Sequence, residues 1–479
     1  MTSTLDTLVH GGQVVTPAGV LETGVAIQGG RIVALGDPAW LPKARTEIDA
    51  RGRIVLPGAI DSHVHLGPEY DDWRGGPHAA AYAGLTTLLV FGVYDDHRRE
   101  PLPDAVRRLQ AEIGRESVLD VGLHMILGNQ PEVLGGLAEA VELGVTSFKM
   151  FMTYKRRPHR MCSDDFICRA MERIAALGGL TQLHCEDGDI LAYLEDKALA
   201  ENRVAPADFP ATCPDWAEAD AIGRAIAMGA LTGCPVYVVH LSSRLGLERI
   251  RAAQAAGQPV WTETCPQYLL LTEAEMVKWG PFAKIGPPLR RGDGPDREAL
   301  WAGSAQGVIA TVGSDHAPRV PAAKEPGWQN IFVDPAGRPI PFGAPSIETL
   351  VPLLYSEGVV RRGLGLPWLA RVLAENPARI FGLWPHKGAI QVGAHADLLV
   401  IDPDADREIR AAEHHGIAGY TLYEGWRIRG RPWLTLLRGE VLLDARDGTP
   451  RLAQAPGFGR YLPRTGPRPP VTGGPGPGR

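Results

Sequence analysis

The sequence predicts an α/β chain organised around a closed parallel (β/α)8 barrel, with a small β-sandwich domain assembled from both chain ends. Three features point there. Eight apolar strand-like runs alternate with helix-compatible stretches over residues 57–385, short β-like runs with Gly-rich turns fill residues 1–56, and the same β texture returns over residues 386–464. A doubly wound open sheet is the competing arrangement, but eight alternations favour closure.

The opening runs are "TLVHGGQVV", "GVAIQGGRIVALG" and "RGRIVLPG", each short and bounded by turn residues. The barrel strands follow as "IVLPGAIDSHVHL", "TTLLVFG", "LDVGLHMILG", "SFKMFMTY", "TQLHCED", "VYVVHLSS", "VWTETCPQYL" and "GVIATVGSDHAP". Between them, residues 103–116, 130–143, 164–177 and 216–233 place Ala, Leu, Glu and Arg at helical spacing. The late runs "GAIQVGAHADLLVIDP" and "GRPWLTLLRGEVLLDA" are expected to pair with the first ones, because chain termini often lie close together. Residues 465–479, "TGPRPPVTGGPGPGR", are poor in apolar groups and read as a disordered tail.

At 479 residues the chain exceeds what one hydrophobic core serves, so two domains are expected. A net charge of -6 speaks against a nucleic-acid or membrane-surface partner and for a small molecule. No apolar run approaches the roughly 20 residues that span a bilayer, and no leader pattern opens the chain, so a cytoplasmic location is expected. The six cysteines form no CxxC pair and read as small buried hydrophobes. "GLGLPW" lacks the third glycine of a dinucleotide fingerprint, and neither a phosphate loop nor a G-x-S-x-G elbow is present.

In a parallel barrel the C-terminal strand ends share one mouth. The polar residues interrupting the eight runs fall at that end: His63 and His65, Lys149 and Tyr154, His184, His240, and Asp315. An isolated HxH pair is most simply a half-exposed strand end. With His184, His240 and Asp315 in register, a metal cluster becomes the better account, because each unsatisfied buried polar group costs roughly 1–3 kcal/mol. His63 and His65, at i and i+2, share one face of a strand. Lys149 fits less easily: an ammonium cannot ligate a metal and is costly beside Phe148, Met150 and Phe151. From residue types alone, a structural salt bridge and a chemically altered lysine account for it equally well.

The segments "GAIDSHVHL", "FKMFMTY", "HCED", "VVHLSS", "ETCPQYLLLT", "GPPLR", "GSDHAP" and "GAIQVGAHADLLVIDP" follow one another over nearly the whole chain. In that order they resemble the amidohydrolase superfamily of TIM-like barrels, and within it the cyclic amidases of dihydropyrimidinase and D-hydantoinase type. The resemblance implies metal-dependent hydrolysis of a cyclic amide C–N bond in a hydantoin, dihydropyrimidine or related ring. It implies that CO2 carboxylates Lys149 to a carbamate bridging two divalent metal ions. His63, His65 and Asp315 would complete one site and His184 and His240 the other, with zinc the usual occupant and manganese, iron and cobalt left open. Asp315 would move the proton, Tyr154 would donate to the oxyanion, and a homotetramer or dimer is implied.

Substrate recognition departs from the pattern. Relatives usually carry Ser where this chain has Gly286 and Asn where it has Phe342, at positions that bind the ring largely through backbone groups. The chain continues after the HxH pair as "LGPEYDDWRGG", without the Arg, or the Asn followed by Glu-Pro-Gly-Arg, that follows the pair in dihydroorotases and allantoinases. Those enzymes, and linear amide or imide hydrolysis on the same scaffold, remain the alternatives, with a non-catalytic dihydropyrimidinase-like assembly protein last because all six ligands are present. The loop "YKRRPHRM" adds Lys155, Arg156, Arg157, His159 and Arg160. It reads either as a solvated loop or as a contact for an anionic ring substituent.

Overall fold

The structure, a computed structural model, describes residues 4–93, 100–157 and 159–471. Its centre is an eight-stranded parallel sheet with the strands in sequence order. The barrel strands are β1 (Ala59–Val64), β2 (Leu85–Gly92), β3 (Asp120–Ile126), β4 (Ser147–Phe151), β5 (Leu180–His184), β6 (Val236–Val238), β7 (Val260–Thr264) and β8 (Thr311–Val312). Just past β1 and β8, a parallel bridge between Val64 and His316 closes the ring, with the His65 amide donating to the His316 carbonyl at 2.9 Å.

Strand alternation divides the side chains into two layers. Phe148 and Met150 of β4 join Leu183, Val236 and Val238 in the layer beneath the helices, while Ile60, Phe91, Phe151, Tyr237 and Trp261 fill the barrel interior. Helices Leu102–Glu116, Asp164–Ala176 and Asp215–Thr232 form where helical spacing predicts them. The stretch 130–143 instead splits into a 3-10 turn, Pro131–Gly136, and a short helix, Leu137–Glu142, because Gly135-Gly136 interrupts it.

The β-rich domain is a sandwich of two sheets. One holds four strands from residues 5–49, and the other holds seven, joining Gln13–Thr16, Gly19–Glu22 and Ile54–Pro57 to four strands from the C-terminal part. Val9, Val25 and Ile27 of the first sheet share a core with Val55, Leu398, Val400 and Leu434 of the second. The alternate residues Leu56, Leu399 and Ile401 face the other way and belong to the barrel's apolar cluster, so the second sheet is buried on both sides.

A buried ionic joint links the domains. Lys387 Nζ lies 2.8 Å from Asp120 at the start of β3 and 2.6 Å from Asp397 beside the second sheet. Arg438 also pairs with Asp120. Burial opposes ionisation of Asp120, but Lys387 and Arg438 hold its carboxyl below the usual range. The joint therefore stabilises the fold above the unfolded carboxylate pKa, and that contribution is lost as pH falls through the lower folded value. Lys387→Met leaves two buried carboxylates without their shared cation. It is expected to cost about 3–5 kcal/mol, read as a lower midpoint of thermal unfolding at neutral pH.

The C-terminal boundaries differ from the sequence expectation. Residues 457–464 leave the sandwich and run along the barrel: Val121 donates to the Arg460 carbonyl at 2.8 Å and Leu462 donates to Val121. Arg464 is buried beneath the barrel, where its guanidinium donates to the Leu123 carbonyl. The expected tail is docked as far as residue 471, with Thr465 bonded to Gly382, Arg468 to Arg379, and Val471 to the Asn376 side chain at 2.8 Å. Apolar content is a poor guide here because backbone hydrogen bonds supply the anchoring. Residues 472–479 of that tail lie outside the described residues.

Candidate active site

Every candidate residue reaches the C-terminal mouth of the barrel. A cavity of about 80 Å³, open to solvent, is lined by His65, Lys149, Tyr154, His184, His240, Gly286, Asp315 and Phe342. His63 forms its fully buried floor. His63, Lys149 and His184 lie within strands, His65, Tyr154, His240 and Asp315 sit in the turns just beyond, and Gly286 and Phe342 come from longer connections. Tyr154, His240 and Asp315 take positive φ values of 72°, 39° and 50°. A side chain held in the left-handed region costs of order 1–3 kcal/mol, and such strain gathers where geometry serves function.

The pleat resolves the position of Lys149. Its neighbours Phe148 and Met150 point outward, so the ammonium faces the barrel interior, over the Phe91 ring at 4.2 Å and 3.1 Å from His63 Nε2. His63 Nε2 is also 3.0 Å from Asp315 Oδ1 and 3.3 Å from His65 Nε2. Ligand atoms of His63, His65 and Asp315 all lie within 4.8 Å of one another. The His184 and His240 rings meet edge to face at 4.4 Å, and the His240 ring is 5.4 Å from that of His63.

A buried carboxylate, Glu263 of β7, organises this floor. It pairs with His63 Nδ1 and accepts from Tyr237 Oη at 2.9 Å, Ser62 Oγ at 3.1 Å and the His240 amide at 3.3 Å. Holding the Nδ1 proton leaves the Nε2 lone pair facing Asp315 and Lys149. On β5, His184 Nε2 donates to Glu186 at 2.7 Å, which leaves Nδ1 as its lone-pair nitrogen. Asp71 holds His316 Nε2 at 2.9 Å, and the Ser346 amide donates to His316 Nδ1, so the residue after Asp315 is fixed from two sides.

The sequence reading passed over Glu263, although "VWTETC" carries a charge at an inward strand position and the same search for polar interruptions would have found it. Asp71 and Ser62 left no comparable signal.

Burial draws His65 down to about 3 and pushes His240 well below the ordinary imidazole value, so both present neutral rings. Burial favours protonation of Asp315, but His63 and His65 hold its carboxyl well below the usual range. His240 Nδ1 is buried without a hydrogen-bond partner among the described residues. Neutral imidazoles, an ionised carboxylate and an orphaned ring nitrogen form a donor set that fits divalent cations. Burial also draws the Lys149 amine down to about 8, against the pull of Asp315 and Glu263.

Gly286 and Phe342 belong together. A Cβ on residue 286 would lie 3.1 Å from Tyr154 Oη and 3.2 Å from the Phe342 ring, so the aromatic occupies space that a side chain at 286 would need. The basic loop divides. Lys155 pairs with Asp189 at 2.5 Å and Arg156 with Glu195 at 3.3 Å, and His159 is exposed. Arg157 and Arg160 line the cavity.

The amidohydrolase family profile matches residues 54–425. The chain is 35% identical over 469 residues to a D-hydantoinase from Geobacillus stearothermophilus, covering 95% of this chain and 96% of that one. An L-hydantoinase from Paenarthrobacter aurescens is 31% identical, with 96% and 98% covered. The crystal structure of a dihydropyrimidinase from Brevibacillus agri superposes with a TM-score of 0.89 at 34% identity, covering 97% of this chain and 100% of that one.

Proposed function

Because this chain belongs to the amidohydrolase family, we propose that it hydrolyses the C–N bond of a cyclic amide such as a hydantoin or dihydropyrimidine. One observation carries the reading. Four histidines, a lysine and an aspartate from the ends of five barrel strands gather at one barrel mouth, in a chain similar over almost its full length to enzymes named for such rings.

His63, His65 and Asp315 would hold one divalent cation, and His184 and His240 a second, with Lys149 carboxylated by CO2 to bridge them; zinc suits this nitrogen and oxygen set. A Lys149 amine near 8 has an appreciable neutral fraction at physiological pH, and the neutral amine is the form that attacks CO2. Bound cations supply a water of lowered pKa and polarise the amide carbonyl.

Asp315, ionised and aimed into the cavity, takes the proton of the attacking water and passes it to the leaving nitrogen. Tyr154 donates from Oη to the oxyanion that develops on the carbonyl oxygen, and burial keeps its phenol protonated. Gly286 and Phe342 border the ring. Tyr154→Phe is expected to lower kcat about 100-fold with little change in KM, the usual consequence of removing one such donor. An unchanged turnover number would take Tyr154 out of this role.

The proposal is tested by turnover on 5-substituted hydantoins, dihydrouracil, allantoin, dihydroorotate and cyclic imides, with metal content measured on the same sample. Hydrolysis of linear amides alone would sink it. No described helix is long and apolar enough to cross a membrane. We place the protein in the cytoplasm as a homo-oligomer, tetramer or dimer, which light scattering on the purified chain measures.

A further inference from the structure

Arg157 and Arg160 enter the mouth of the cavity that holds the candidate metal ligands, and among the described residues neither pairs with a carboxylate. Their neighbours in the same loop behave otherwise: Lys155 and Arg156 are neutralised by Asp189, Glu195 and Asp196 of the helix Gly188–Ala200. The third guanidinium of the cavity, Arg319, is already satisfied by Glu69 at 2.7 Å and lies over the Tyr70 ring at 4.2 Å. Among the described residues, two positive charges are therefore left facing the substrate space.

Both are held in place by aromatic faces. The Arg157 guanidinium carbon lies 5.1 Å from the Tyr154 ring centre and 5.8 Å from that of Phe342, and the Arg160 carbon lies 5.3 Å from the Phe151 ring. A guanidinium stacked on a ring keeps its in-plane N–H donors available, which suits bidentate pairing with a carboxylate. Tyr154 and Phe342 also line the cavity with Gly286, so Arg157 lies against the same side chains that would border the reacting ring.

We infer that this enzyme prefers rings carrying a carboxylate on the exocyclic substituent, with Arg157 and Arg160 as the residues that recognise it. The inference rests on the cyclic-amide reading above and narrows it to an anionic substrate class. Half-buried cations are weakly hydrated, and an incoming carboxylate replaces the water they retain. A neutral substituent of the same shape leaves both donors without an anion.

The test compares 5-(carboxymethyl)hydantoin with its near-isosteric amide, 5-(carbamoylmethyl)hydantoin, and includes unsubstituted hydantoin. For the unaltered enzyme at low ionic strength, kcat/KM is expected to be at least about tenfold higher for the acid, carried by KM, and the advantage shrinks as salt rises. In Arg157→Ala and Arg160→Ala the acid-to-amide ratio is expected to fall about tenfold each, with part of it restored by Arg157→Lys. Equal use of acid and amide by the unaltered enzyme would overturn this inference while leaving the cyclic-amide reading intact. An acid preference that survives in the Arg157→Ala, Arg160→Ala double variant overturns the assignment to these residues. If none of the three hydantoins is hydrolysed, this inference falls, and the cyclic-amide reading falls with it only if dihydrouracil, allantoin, dihydroorotate and the cyclic imides are refused as well. The comparison in the unaltered enzyme needs no variant, so it decides even if a substitution disturbs the loop.

Discussion

Asp315→Asn is expected to lower kcat about a thousandfold or more while the chain keeps its fold. Asn has the same shape and keeps a polar amide beside His63 Nε2, now 3.0 Å from Asp315 Oδ1. It carries no negative charge to offer a cation and cannot accept a proton at neutral pH. General acid–base contributions alone run from about a hundredfold to ten-thousandfold. Asp315 is also a candidate ligand, so loss of metal has to be separated from loss of the base. With excess divalent metal present and metal content restored, a proton-transfer role leaves the deficit in place. A variant that regains more than about a tenth of the original kcat under those conditions would reduce Asp315 to a ligand.

The second large effect is expected at Lys149. Lys149→Met keeps the length and volume of the side chain and removes the amine. In the structure that amine sits among His63, Phe91 and Phe151, with no ion pair to a carboxylate among the described residues. If Lys149 becomes a bridging carbamate, the variant has lost an anionic ligand to both cations. Bound metal should then drop from two ions per chain to one or fewer, and kcat should fall about ten-thousandfold. Thermal stability measured without metal should hold or rise, because an unpaired buried cation has gone. Enzyme equilibrated with carbon-13 bicarbonate should show a labelled carbamate carbon by NMR that is missing from the variant. A Met variant that retained two ions and most of its turnover would leave the lysine without the proposed role.

The two effects also show how much of the site was legible beforehand. Asp315, His63 and His184 stood out because a charged or imidazole side chain at the end of an apolar run breaks a simple pattern, and β alternation assigns it a face. The same reasoning misjudged the setting of Lys149, whose sequence neighbours Phe148 and Met150 lie on the opposite face of the strand. Glu263 was missed although its signal was present, and Asp71 sits in a loop where periodicity has no meaning. The basic loop could not be read as one unit: Lys155 and Arg156 find their carboxylates on helix Gly188–Ala200, about 35 to 40 positions away, and Arg157 and Arg160 do not.

By itself the sequence determined the eightfold alternation, the β texture at both ends and the residues that close the barrel strands, because these follow from local spacing along the chain. Tertiary structure decided which charges are neutralised and which stay available. Glu263 reaches His63 across 200 positions, Lys387 joins Asp120 to Asp397, and the chain end is held as far as residue 471 by bonds to Arg379, Gly382 and Asn376. Partnership between distant polar groups depends on how elements pack, and no local period encodes it.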